Sequence, residues 1–399
     1  MPIFRGSEVD VSSEIEKHKI LIVGSGFFGL TLAERISSQF NLNVLVLEKR
    51  EHIGGNAYSF TDPDTGIEIH KYGTHIFHTK NKAIWDYINQ FSSFNDYRHI
   101  VESNVDGINF PIPINLRTLE MSFGKSFSES EAENFFALQK IRFKGQEITN
   151  AKMKAVSLVG EALYEKFYEG YTKKQWGVDP LDLPPDIISR IPVRTNLNAE
   201  YFDDEYQGIP SHGYGNLFSN MVAGEKITVL TGVDFFDFSS RIRSSQALIY
   251  SGAIDRLFQF RHGALGWRSV SFEIEKIEKE KFQNRAVVNY PEISVPYTRI
   301  HEFKHLHPEV GKIQPHTIIA REYSQITTNS EEPYYPINTQ HDREILSVYT
   351  EAARLQKNII VGGRLGRYQY LDMHMAIGNA LSVFANEIPD LLKRLDIYF

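Results

Sequence analysis

The stretch KILIVGSGFFGLTLAERI, from Lys19 to Ile36, constrains this chain more than any other. Ile20 to Val23 is a short apolar run, as expected of a buried parallel strand. Gly24, Gly26 and Gly29 follow in GxGxxG spacing, and Leu30, Ala33 and Ile36 continue at helical period. Gly24 permits the tight turn, Gly26 lets the backbone approach a pyrophosphate, and Gly29 lets helix and strand pack closely. The helix N-terminus then aims its free amides at the anion. A second strand, NVLVLE, ends in Glu48, where an acidic side chain accepts ribose hydroxyls. A glycine-rich turn alone is a weak signal. Between a strand and a helix, with that acid following, it reads as a dinucleotide site.

The continuation, EKREHIGGNAYS, places Gly54 and Gly55 shortly after Glu48. Acid, five residues and a glycine pair resembles the FAD-binding flavoproteins related to amine oxidases and glutathione reductase. The resemblance implies FAD rather than NAD. Such proteins return a distant C-terminal segment to the flavin, and NIIVGGRLGRYQYLDMHMAIGNAL, from Asn358, fits. Ile359 to Val361 reads as a strand, Gly362 and Gly363 as a turn, and Met373, Ile377 and Leu381 as a helix starting near Asp372. That helix N-terminus could face the flavin's pyrimidine edge, where negative charge gathers on reduction.

At 399 residues the chain is too long for one compact core. The expected fold class is α/β: a discontinuous FAD-binding Rossmann-like domain with an inserted helical domain and an antiparallel β-sheet domain. Residues 1–18 are expected as a flexible or loosely docked extension. The FAD domain is assigned to 19–80, 205–255 and 355–399, and a mainly helical substrate domain to 81–204. The segments SVSFEIE, RAVVNYP and HTIIAREYS read as strands of the sheet domain, 256–354.

The net charge is -7, with no long basic run, which argues against a nucleic-acid partner. There is no cysteine, which excludes disulfides and thiolate catalysis and fits a reducing cytoplasm. No apolar run approaches the roughly 18 residues of a membrane span, so no membrane partner is expected. The N-terminal stretch lacks the apolar core of a signal peptide.

The segment FYEGYTKKQWG, Phe167 to Gly177, follows a helix marked by Val156, Val159 and Leu163. At Gly170 that periodicity breaks, and Tyr171 and Trp176 fall among amides and cations. KYGTHIFHT carries His75 and His78, three apart. No carboxylate or third histidine stands at ligand spacing, so no metal site is expected. Arg194, Tyr206, Arg299, Tyr334, Tyr335, Arg364, Tyr370 and Asp372 each stand near proline or glycine, at turns or strand ends. Two well-placed arginines and a few phenols suit a diphosphate.

Matched together, the FAD pattern and YGTHIFHT, GYTKKQWG, IPVR, YQGIP, VPYTRI, PYYPI and GRLGRYQYLDM resemble the bacterial type of UDP-galactopyranose mutase, from about Lys19 almost to the C-terminus. That family binds FAD and interconverts UDP-galactopyranose and UDP-galactofuranose, an isomerisation. The resemblance implies that Tyr171 stacks on uracil, Trp176 lies near galactose, and Phe167, Tyr168 and Thr172 complete the wall. Arg194, on a mobile loop, and Arg299, from the sheet domain, would hold the diphosphate, with Tyr206, Tyr335 and Tyr370 as hydroxyl donors. Arg194, Arg299, His75 and His78 would serve catalysis. Cofactor contacts would come from Gly24, Gly26, Phe28, Gly29, Glu48, Lys49, Gly55, Asn56, Arg364, Tyr370, Asp372 and Met373. A homodimer, a cytoplasmic location and a role in cell-surface polysaccharide synthesis come with the resemblance.

The implied chemistry is nucleophilic catalysis by N(5) of reduced FAD, through a flavin–sugar iminium. No Ser, Cys or Glu is plainly placed as an alternative nucleophile. The rival from another class is an FAD-dependent amine oxidase or desaturase, which would need an apolar tunnel and oxygen turnover. The paired arginines argue against it. A catalytically dead sugar-nucleotide binder is a second rival. Two positions depart from the family's habit: His99 where asparagine is common, and Ala253 where proline is.

Overall fold

A computed structural model describes residues 3–189, 192–308, 315–327 and 332–397. The chain begins with β1 (Ile3–Arg5) and α1 (Val11–Lys17), then runs β2 (Ile20–Val23), α2 (Phe27–Phe40) and β3 (Val44–Leu47). Six strands form one sheet in the order β1, Ile227–Thr231, β3, β2, Ala247–Tyr250, Ile359–Val361, every pair parallel. Because side chains alternate along a strand, β2 feeds two cores. Ile20 and Ile22 join α2 and the helix Met373–Asn386 on one face. Leu21 and Val23 join Val11, Ile15 and Phe235 on the other.

Residues 3–18 of the expected extension are therefore docked on the sheet rather than loosely attached. β1 pairs with Ile227–Thr231 in register Ile3 to Val229, and Ile15 of α1 is fully buried against the second face of the sheet. Without α1, the apolar side chains of that face would meet water. Asp10 caps the helix by accepting from the Ser13 amide.

A second sheet has seven strands, in the order Tyr335–Pro336, Trp267–Ile277, Thr317–Ile326, Arg299–Glu302, Val287–Asn289, Val101–Val105, Ile108–Ile112. It is antiparallel except for one parallel pair, Val287–Asn289 with Val101–Val105. Its last two strands lie within 81–204, the stretch expected to be mainly helical. Val101, Ser103 and Val105 are buried and the residues between them half-buried, the period-2 signal of a strand.

The helices Glu129–Ile141 and Ala151–Val159 pack beside this sheet, each N-capped by a side chain, Ser128 and Asn150. The chain does not leave the helix at Gly170. A π-turn at Glu165–Glu169 is followed directly by the helix Gly170–Trp176. The wide turn resets which side chains face inward. A Cβ on Gly170 would stand 2.3 Å from the Pro291 carbonyl, so glycine is needed there for close approach of the sheet's loop. No helix among the described residues is long and apolar enough to cross a membrane.

Candidate active site

A cleft of about 830 Å³ opens at the carboxyl ends of β2 and β3 and runs to the second sheet. That end of a parallel sheet is where open α/β folds bind ligands. Gly24, Gly26, Phe28, Glu48, Lys49, Gly55 and Asn56 line it. Gly26 has an ordinary φ of -75°, and a Cβ built on it would meet only the Gly55 Cα, at 4.0 Å. The protein itself leaves this backbone open to the cleft, which suits the close approach of a ligand. Gly29 is different, because its Cβ would stand 2.0 Å from the Gly24 carbonyl oxygen. It serves helix–strand packing and does not line the cleft. These residues fit a dinucleotide.

Glu48 closes the loop. Its carboxylate accepts from the Ser25 amide (2.8 Å), the Ser25 hydroxyl (2.6 Å) and the Arg50 amide (2.9 Å). Phe28 is buried, its ring lodged against Gly362, whose Cβ would meet Phe28 Cζ at 2.1 Å. The distant C-terminal segment is thereby pinned to the nucleotide loop. Asp372 is the N-cap of Met373–Asn386 yet makes no side-chain cap, and it lines the cleft with Met373.

The far wall carries the aromatic segment. Phe167, Tyr168, Tyr171, Thr172 and Trp176 all line the cleft, as do Tyr335 and Tyr370. Tyr335 and Tyr370 stack at 5.9 Å, and Trp176 stands 6.0 Å from Tyr335. Arg364 lies over the rings of Tyr334, Tyr335 and Tyr370 and donates to the Tyr334 carbonyl. Arg299 donates through Nη2 to the Tyr171 hydroxyl (2.7 Å), and its Nε is 3.3 Å from the buried Glu322 carboxylate.

His75 donates from Nδ1 to the Gly73 carbonyl (2.7 Å), and desolvation lowers its imidazole to about 4, keeping it neutral. His78 pairs through Nδ1 with Asp204 (2.5 Å) and stacks on Phe202 at 3.7 Å. Its Nε2 is 4.0 Å from Asp372. One ligand atom each from His78, Asp372 and His374 lies within 4.8 Å of the others. Folding thus brings a carboxylate and another histidine beside His78, which spacing in the chain does not reveal.

Besides Gly29, two expected residues stand off the cleft. Arg194 is buried, with Nη2 2.6 Å from Asp203 and Nη1 donating to the Asn198 and Glu200 carbonyls. Ile191, which opens its IPVR motif, lies outside the described residues. Tyr206 pairs with Thr79 in a two-stranded ladder and stacks on Trp85 at 5.6 Å. Conversely, Lys174 was unforeseen. Its ammonium donates to three carbonyls, of Tyr290 (2.5 Å), Val295 (2.9 Å) and Tyr297 (2.9 Å), fastening the aromatic helix to the loop before Arg299. His99, Phe202, His301 and Glu322 also line the cleft. Of these only His99 had a signal, its departure from the family's asparagine.

Residues 166–370 match the family described as UDP-galactopyranose mutase, and residues 22–91 an NAD(P)-binding Rossmann-like domain. A probable UDP-galactopyranose mutase of Klebsiella pneumoniae is 37% identical over 91% of this chain and 92% of its own length. A dTDP-fucopyranose mutase of Escherichia coli is 35% identical over 91% of this chain and 97% of its own. Among solved structures, that of a reduced UDP-galactopyranose mutase superposes with a TM-score of 0.72 over 93% of this chain and 94% of its own, at 15% identity. Nucleotide loop, aromatic wall and arginine thus stand in a chain that belongs to the UDP-galactopyranose mutase family.

Proposed function

We propose that this protein interconverts UDP-galactopyranose and UDP-galactofuranose and carries FAD to do so. What supports the reading is one observation: the nucleotide loop and the wall of Tyr171, Trp176 and Arg299 open into the same cleft. A cofactor on one side and a sugar nucleotide on the other would meet there. FAD, when bound and reduced, would supply the nucleophile through N(5).

The chain's own residues do the rest. Tyr171 and Trp176 offer aromatic faces to a flat base and to the apolar face of a sugar. Arg299 holds the diphosphate and stabilises its charge as the anomeric bond breaks. Tyr335 and Tyr370 donate hydroxyls. Arg194 reaches the diphosphate only by leaving Asp203, so it closes on substrate as a separate step. His75, neutral, presents its ring to the cofactor side without adding charge. A reducing cytoplasm and a homodimer belong to the same reading.

The test is to mix dithionite-reduced protein with UDP-galactose and resolve the products by chromatography. A furanose product without net use of reductant is expected, and none from oxidised protein. Turnover at full rate by oxidised protein, or reductant or oxygen consumed in step with product, would replace the mutase reading with an oxidoreductase one. The 35% identity to a dTDP-fucopyranose mutase favours a second reading, in which the natural substrate is a dTDP-6-deoxy sugar. Running dTDP-fucose beside UDP-galactose and comparing kcat/KM decides between them.

A further inference from the structure

Arg299 is anchored from behind by a chain of buried groups that ends on the cofactor side of the cleft. Glu322 Oε2 stands 3.3 Å from Arg299 Nε and 3.0 Å from His301 Nε2. On the other edge of the same imidazole, Nδ1 is 3.2 Å from the Thr74 amide and 2.8 Å from the Thr74 hydroxyl. Thr74 lies between Gly73 and His75, on the turn that lines the cleft. His301 and Glu322 are 1% and 3% exposed, so water does not compete for these bonds.

The hydrogen-bond logic fixes the tautomer. A backbone amide can only donate, so Nδ1 carries the lone pair and the proton sits on Nε2, pointed at Glu322. The Phe272 and Phe303 rings, at 5.9 and 6.2 Å, hold the imidazole plane. Glu322 then has one oxygen fixed by His301 and faces Arg299 in one orientation. The other oxygen has only a long bond from the Thr298 hydroxyl (3.4 Å), so without His301 the carboxylate is held loosely and the guanidinium can shift with it.

We propose that His301 is a positioning residue, bridging the Thr74 amide and the Glu322 carboxylate so that Arg299 is aimed at the diphosphate. The inference rests on Arg299 being the diphosphate ligand. His301 acts through Arg299, which uridine would meet only by way of the Tyr171 hydroxyl, so its effect should be larger on phosphate-bearing ligands than on uridine.

The experiment measures binding of UDP and of uridine to FAD-loaded protein by calorimetry. For His301→Phe, UDP affinity should fall about tenfold or more, the loss expected when one charge-assisted bond is misdirected. FAD content should stay at the wild-type level, and uridine affinity should fall clearly less than UDP affinity, since uridine meets Arg299 only through Tyr171. His301→Gln, which can accept from Thr74 and donate to Glu322, should recover most of the UDP affinity. In an Arg299→Ala background, His301→Phe should add little, because both changes remove the same interaction. If His301→Phe does not fold, His301→Asn carries the test. It is polar but too short to bridge both partners, and the same UDP-selective loss is expected. Unchanged UDP affinity, an equal loss for uridine, or full additivity with Arg299→Ala overturns the proposal. If Arg299→Ala itself leaves UDP binding intact, the diphosphate reading of Arg299 fails and this one with it. If Arg299→Ala weakens UDP and His301→Phe does not, only the role of His301 is lost.

Discussion

Gly26 and Gly29 are three residues apart in one motif, yet substitution should harm them in opposite ways. An alanine Cβ at Gly26 has only the Gly55 Cα near it, at 4.0 Å, an ordinary contact. With φ at -75° the backbone is unstrained. The apoprotein of Gly26→Ala should therefore melt within a few degrees of wild-type apoprotein. The methyl group instead occupies the space through which the backbone approaches a pyrophosphate. Displacing that anion forfeits at least one charge-assisted hydrogen bond, about 1.5–3 kcal/mol. At 1.4 kcal/mol per factor of ten, FAD affinity should fall on the order of ten- to a hundredfold. At Gly29 the Cβ would sit 2.0 Å from the Gly24 carbonyl, so α2 must lift from β2. Overpacking of this kind costs about 3 kcal/mol or more, in the apoprotein itself. The assay is a thermal melt of both apoproteins by circular dichroism, followed by FAD titration with fluorescence quenching. Wild-type FAD affinity in Gly26→Ala would mean that nothing comes close to that backbone. Equal melting losses in the two variants would mean that both glycines serve packing alone.

Three further outcomes follow from the buried charges. Arg299→Ala leaves Glu322 as an uncompensated buried carboxylate and should destabilise the fold by about 3–5 kcal/mol. Adding Glu322→Gln should restore much of the melting temperature but none of the UDP affinity. Lys174→Met removes a cation shared by three carbonyls and should cost on the order of 2–4 kcal/mol in chemical denaturation, with weakened UDP binding because the loop before Arg299 loosens. Burial pushes His70 and His99 down to about 3, from an unfolded value of 6.5. Between those values the unfolded chain binds more protons, so their contribution is complete above pH 6.5 and is lost as pH falls toward 3. Each histidine should cost the fold roughly 1.4 kcal/mol per pH unit as pH falls from 6.5 toward 3, seen as a steepening fall in melting temperature that His99→Gln makes shallower.

Local features of this fold could be read directly from the chain. The glycine loop, Glu48 and the strand before Gly362 are set by neighbours within a few residues, and the parallel sheet places them as expected. The aromatic segment was legible as unusual, but not as a π-turn, because one extra residue per turn leaves no mark in composition. α1 carries little sequence signal, since Val11 and Ile15 are its only apolar residues among serines, glutamates and lysine. The Arg299–Glu322–His301–Thr74 chain draws on three separate segments, and no sequence period joins them. His78 meets Asp372 and His374 across nearly three hundred residues, so spacing rules for metal ligands could not apply. Arg194 and Tyr206 were expected at the diphosphate through resemblance, and here they sit in a turn and a ladder of their own.

The parallel sheet also sets a timetable for making the protein. β1 emerges early, but its partner Ile227–Thr231 is more than two hundred residues behind it. β2 needs Ala247–Tyr250, and that strand in turn waits for Ile359–Val361. The helix that seals α2, Met373–Asn386, comes later still. At about 5–20 residues per second, synthesis of 399 residues takes roughly 20–80 seconds. For most of that time the apolar strands around the nucleotide loop lack their neighbours, and such long-range pairing is intrinsically slow. The glycine loop is among the first segments made, yet the strands that flank it are paired only when the chain is nearly finished. The cleft, lined by residues from Val23 to Ala376, is complete only once nearly all of the chain has been made.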